Sequence, residues 1–276
     1  MYQTLLVSNE DGILTVKLHR PDTMNAFSET MMAELIDVYQ KANKNPKVKV
    51  IIVTGEGKAF CAGMDLSGND QVFTSDESVE DFRDTGGRVS LEVYKLSKPI
   101  IAAINGAAVG IGITMTLPMD IRIVSPKAKI GFIFGQRGIG PEAASGYFLP
   151  KLVGHAKALE WLYTGRIFRA QEEEQSGLFH YMTEEPYAKA EELAKEMIQN
   201  TSPISRAFSR QLIYSMLNSS HPQSSHLIES RFLHWIADKE DVKEGIQAFK
   251  EKRRPFFPMA ADQLPDFFHV GRDKND

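Results

Sequence analysis

The sequence predicts an α/β fold with a mainly parallel, layered sheet, and three observations carry that expectation. Two apolar runs, residues 48–54 (VKVIIVT) and 99–104 (PIIAAI), are nearly continuous, as strands buried on both faces are, and glycines follow each of them directly. Segments of helical period lie between the strand candidates, so the strands are joined by crossovers, which should be right-handed. Beyond Pro141 the pattern turns almost wholly helical. Of the 276 residues, 42% are hydrophobic and 25% charged, which excludes a disordered or collagen-like chain.

In chain order, residues 4–8 and 13–18 flank Asp11-Gly12, a hairpin signal. Ser28 is a helix N-cap candidate, and Met31, Met32, Leu35, Ile36 and Tyr39 recur at helical spacing behind it. After the strand at 48–54 come Gly55, Gly57 and Lys58, then a polar, acidic stretch at 67–87. A helix is expected over 89–96, a strand over 99–104, a turn at Asn105-Gly106, a helix over 110–117 and a strand over 121–125. Helices are then expected at 143–149, 156–163, 170–176, 187–199, 204–217, 227–237 and 243–251. No sequence repeat of fixed period is evident. The division expected is a core of residues 1–200, a helical region 201–258 and a polar tail 259–276.

With 32 Lys+Arg against 36 Asp+Glu, the formal charge of −4 is too balanced for a protein that coats nucleic acid. The single cysteine, Cys61, can form no internal disulfide, which points to a reducing, cytoplasmic setting. Leu5-Leu6-Val7 is broken at once by polar residues, so no secretory apolar segment is read there. Residues 99–118 contain too many interruptions for a membrane span. The histidines show no paired ligand spacing, and no metal is expected.

Two stretches have the makings of chemistry. Lys58-Ala-Phe-Cys-Ala-Gly-Met-Asp-Leu66 follows a buried strand, and its small residues would let a backbone N–H approach a ligand closely. In Asn105-Gly-Ala-Ala-Val-Gly-Ile-Gly-Ile-Thr114, Gly110 and Gly112 open an apolar helix whose free N–H groups face whatever precedes it. Two such loops could form an oxyanion hole around a polarised carbonyl. Alternatively, the glycines only permit tight turns and close packing.

These motifs, with the stretch from Asp120 to Ser125 and Ile139-Gly-Pro-Glu142, resemble in order and spacing the enoyl-CoA hydratase/isomerase family of the crotonase superfamily, over about residues 2–257. The resemblance implies a spiral of ββα units (the ClpP-like crotonase fold), a C-terminal helical trimerisation region, and acyl-CoA thioester substrates. No cofactor is implied beyond the coenzyme A of the substrate. It implies a homotrimer or a hexamer made of two trimers. The backbone N–H groups of Met64 and Ile111 would hold the thioester oxygen. Ala26, Lys58, Ala62 and the Asp65 backbone would hold coenzyme A, with Gly110 and Phe134 beside the acyl group. Lys252 or Arg253 would reach a neighbouring subunit's 3′-phosphate, or else form a solvated helix end.

Hydratases of the family use two glutamates, and Thr114 and Phe134 stand at those positions here. What remains is Glu142, placed like the acidic residue of Δ3,Δ2-enoyl-CoA isomerases and like the nucleophilic aspartate of 4-chlorobenzoyl-CoA dehalogenase. A double-bond shift needs one carboxylate, and a pocket lined by Phe132, Phe134 and Met64 would raise its pKa. The plainer role of Glu142 is to stabilise a helix dipole, for about 0.3–1 kcal/mol. The competing functions are hydrolysis or dehalogenation through Glu142, weak hydration with a loop carboxylate from residues 76–84, and non-catalytic acyl-CoA binding. Asp65 is read as a structural loop aspartate and Cys61 as a small buried thiol. The 67–87 segment is either a lid, with Phe73, Phe82 and Val89 expected to touch an acyl chain when it closes, or a solvated acidic loop.

Overall fold

The computed structural model describes residues 1–67 and 74–268. β1 (Leu5–Glu10) and β2 (Ile13–Leu18) form an antiparallel hairpin. Its turn residues Asp11 and Gly12 both take positive φ, 52° and 86°, the primed turn that Asp-Gly favours. α1 (Glu29–Lys44) starts at Ser28, whose side chain accepts from the Met31 N–H at 3.2 Å. β3 (Val50–Gly55) and β4 (Ala59–Cys61) precede α2 (Thr85–Lys95); β5 (Ile100–Ile104) and β6 (Ala107–Val109) precede the single turn α3 (Ile111–Thr114). β7 (Ile121–Val124) and β8 (Lys129–Gly131) lead through a 3-10 turn, Phe134–Arg137, to α4 (Ser145–Val153) and α5 (His155–Thr164). β9 (Ile167–Arg169), a 3-10 segment Ala170–Ser176 and β10 (Tyr181–Met182) follow. The chain ends in α6 (Pro186–Asn200), α7 (Pro203–Met216), α8 (Pro222–Ile236) and α9 (Glu240–Glu251).

Two sheets result. The larger has the order β1-β2-β3-β5-β7-β10, parallel except for the hairpin, and the smaller has the order β4-β6-β8-β9, parallel except for β8 with β9. Each successive pair, β3/β4, β5/β6 and β7/β8, places one strand in each sheet before its helix. This is a spiral of ββα units, although the sequence shows no repeat. Ile51 and Val53 join the main core, whereas Val50 and Ile52 face α6 through Ala190 and Ala194, so β3 is buried on both faces as its apolar run requires.

The smaller sheet is what the sequence reading lacked: residues 59–61 and 107–109 were expected as loop and turn. Three residues are too few to display a period of two. The helix expected over 110–117 closes after Thr114, and residues 170–176 form 3-10 rather than α-helix. α2 begins four residues before the expected position 89, because the Asp84 cap overrides the poor helix propensity of Gly86 and Gly87. α8 and α9 likewise begin before the expected 227 and 243. In the segment read as a polar tail, Phe267 and Phe268 pack onto Phe208, so its described part is docked. Among the described residues, no helix is long and apolar enough to cross a membrane.

Candidate active site

The site grows from the two places where the chain leaves the smaller sheet. After β4, Phe27 donates to the Gly63 carbonyl and accepts from the Asp65 N–H, both at 2.8 Å. In this parallel bridge the residue between, Met64, must turn its own N–H away from Phe27. After β6, the Gly110 N–H is taken by the Gly131 carbonyl at 2.9 Å. Ile111 is then the first residue of α3, where an N–H has no partner within the helix. Gly112 brings the two exits together: a Cβ there would lie 2.0 Å from the Cys61 carbonyl oxygen.

Between them lies a cleft of ≈ 120 Å³, with Met64, Ile111, Phe134, Arg137 and Glu142 in its lining. Ala62 and Gly110 complete the predicted residues that meet there. Glu142 precedes Ala143 and Ala144, which both adopt left-handed backbone, φ 56° and 57°. Burial drives the Glu142 carboxyl up to about 7; the Thr114 hydroxyl, donating to Oε1 at 2.5 Å, works against that rise, and the nearby Asp84 charge works with it. Glu142 is therefore no simple helix-end acid. Thr114, itself fully buried, is its hydrogen-bond partner rather than a substitute for a carboxylate.

Asp65 is held well below the usual carboxylate range, at about 2, by the Ser67 hydroxyl first, then the Ser67 N–H and Arg20. Arg20 reaches the Asp65 carboxylate at 2.7 Å and the Ala26 carbonyl at 2.6 Å, tying two loops together. Cys61 is buried, and its thiol is pushed up to about 12 by that burial, so it is an inert core group.

Other expected site residues fall outside the cleft lining. Lys58 is exposed beside it in sequence, Ala26 and Asp65 belong to the tied loops, and Lys252 is the left-handed C-cap of α9. Arg253 is engaged by Glu244 at 2.6 Å and Glu251 at 2.6 Å. Phe132 stacks on Trp161, 5.5 Å between centroids, in the core rather than the pocket. Val89 is likewise in the core, Phe82 is exposed, and Phe73 lies outside the described residues. The sequence reading missed Leu66, Val109, Ile133, Arg137 and Ile139 as lining residues. For Arg137 the signal was available, since it lies three residues from Phe134.

A ββα spiral with two backbone donors where the chain leaves its smaller sheet, and a half-buried carboxyl in the cleft between them, defines a crotonase-fold acyl-CoA enzyme. The chain belongs to the enoyl-CoA hydratase/isomerase family, whose profile matches residues 8–259. It is 39% identical over 255 residues to an enoyl-CoA hydratase of Alternaria alternata, covering 90% of this chain and 83% of that one. It is 30% identical over 267 residues to the 1,2-epoxyphenylacetyl-CoA isomerase of Escherichia coli, covering 93% and 99%. The crystal structure of an enoyl-CoA hydratase from Bacillus anthracis superposes with a TM-score of 0.83 at 30% identity, covering 92% and 99%.

Proposed function

We propose that this enzyme shifts the double bond of a 3-enoyl-CoA to the 2-position, with Glu142 as its only acid/base. The observation that carries the reading is that Glu142 is the one carboxylate among the described lining residues, held near neutrality in pKa. The thioester oxygen accepts from the Met64 and Ile111 N–H groups, which stabilise the dienolate as charge moves onto that oxygen. Glu142 takes the proton from C2, is neutral while the dienolate exists, and returns the proton to C4 on the same face. The Thr114 hydroxyl orients the carboxyl throughout. The coenzyme A moiety is held along Ala26, Lys58, Ala62 and the Asp65 backbone, with Phe134 against the acyl group, and no other cofactor takes part. The assembly that goes with this reading is a cytoplasmic homotrimer, or two such trimers.

Hydration is the rival, because several relatives are named hydratases. Water addition needs a second group to activate the water while a proton goes to carbon. The closest candidate, Asp84, accepts two backbone N–H groups and is not part of the cleft lining. Absorbance of the conjugated thioester after mixing with a 3-enoyl-CoA, beside a 2-enoyl-CoA hydration assay, separates the two. Conjugation that disappears in Glu142→Gln is expected; hydration that survives in Glu142→Gln would overturn the assignment.

A further inference from the structure

We propose that Asp84 is the positioning residue of this site, clamping the first turn of α2 to the loop that carries Glu142 and so holding the Glu142 carboxyl in place against Gly86. The inference rests on Glu142 being the base. One oxygen, Asp84 Oδ2, accepts both the Gly87 N–H at 2.6 Å and the Ala143 N–H at 3.0 Å. The first bond caps α2; the second reaches 59 residues along the chain to the residue after Glu142. The clamped loop needs an external restraint, since Ala143 and Ala144 both sit in the left-handed region that alanine rarely adopts.

Gly86 shows how tight the clamp is. A Cβ at that position would stand 2.1 Å from Glu142 Oε2 and 2.5 Å from Ile111 Cδ1. The carboxyl thus lies on the bare backbone of α2, next to a donor residue of the cleft, and cannot be displaced towards the helix. The groups around Glu142 are Asp84 at the start of α2, Cys61 on β4, Thr114 on α3 and Arg137 in the 3-10 turn. Of these, Asp84 is the carboxylate whose charge raises Glu142, and Cys61 is neutral.

Two variants separate the clamp from the charge. In Asp84→Asn the amide oxygen can accept both N–H groups, so position is kept while the like charge goes. We expect the half-maximal pH of kcat/KM to move down by about half a unit to one unit, with KM little changed. In Asp84→Ala both bonds go, and kcat should fall about tenfold or more with KM changed less than threefold. A purely structural cap would lower the melting temperature without moving the pH profile, and that result overturns the proposal. The Glu142 carboxyl is also titrated by 13C NMR in wild type and Asp84→Asn, assigned by its absence in Glu142→Gln. This readout needs no turnover: a downward shift in Asp84→Asn shows that the Asp84 carboxylate stands beside the Glu142 carboxyl, as the clamp requires, even if the double-bond shift itself fails. An unmoved Glu142 titration, together with wild-type kcat in Asp84→Ala, refutes it.

Discussion

In the sheet region, side chains as large as Trp161, Tyr39 and Phe60 are wholly buried, whereas in the helices from Pro203 onward Ile213, Leu233, Ile246 and Phe249 stand in solvent. The later helices have a small core of their own, Ile204, Phe208, Phe232 and Ile236, with Phe208 stacked on Phe232 at 3.8 Å. The two regions are joined through Arg210 of α7. Its guanidinium meets Asp120 at 2.9 Å and donates to the carbonyls of Val93, Tyr94 and Leu96 at the end of α2. The contrast teaches a division of labour. The spiral encloses enough apolar surface to place a few groups accurately, and the helices leave apolar surface uncovered while remaining anchored to the helix that begins beside Glu142.

The largest expected effect tests whether chemistry belongs to the sheet region alone. Glu142→Gln should lower kcat for the double-bond shift about 10²–10⁴-fold with an unchanged circular dichroism spectrum. Arg210→Met attacks the joint: with Asp120 and three carbonyls left without their cation, denaturant unfolding should show a loss of about 3–5 kcal/mol. A loss below about 1 kcal/mol would mean that the joint rests on its other contacts, such as the Tyr214 hydroxyl donating to the Pro118 carbonyl at 2.6 Å. Gly112→Ala should cost about 1–3 kcal/mol and reduce kcat, because the new methyl must push α3 off the Cys61 carbonyl and separate the two backbone donors.

A comparable effect is pH-dependent. Glu142 has a folded-state pKa of about 7 against an ordinary value of 4.5, so the native state binds more protons than the unfolded one between these pH values. Its contribution to stability is complete below about pH 4.5 and is lost as pH rises through 7. Glu142→Gln should therefore be more stable than wild type by about 3 kcal/mol at pH 8 and nearly equal at pH 4.5, read from urea midpoints. The smallest effect belongs to the exposed helical faces. Leu233→Ser should change unfolding of the isolated subunit by less than about 0.5 kcal/mol. In the proposed trimer the same change should lower the mass seen by sedimentation, whereas an unchanged oligomer would place the interface elsewhere.

Legibility followed the range of the interactions. The Asp11-Gly12 hairpin, the Ser28 cap and the buried strands β3 and β5 could be read because neighbouring residues decide them. β4 and β6 could not, since their pairing joins Ala59 to Ala107, far apart in sequence and with three residues on each side. At the site, Met64, Ile111 and Glu142 were legible through the motifs that resemble the family. The Thr114–Glu142 bond was not, Arg137 was overlooked although it lies three residues from Phe134, and Phe132, expected in the pocket, packs in the core against Trp161.

The sequence by itself determined the Asp11-Gly12 turn, the long buried strands, most of the helices and the glycines that permit close approach. Only the tertiary structure decided that Asp84 would reach Ala143, that Gly86 would lie beneath the Glu142 carboxyl, and that Arg210 would bind Asp120. The reason is physical. Backbone preference is set by near neighbours, but desolvation of a carboxyl and the charge facing it depend on which distant segments fold against it.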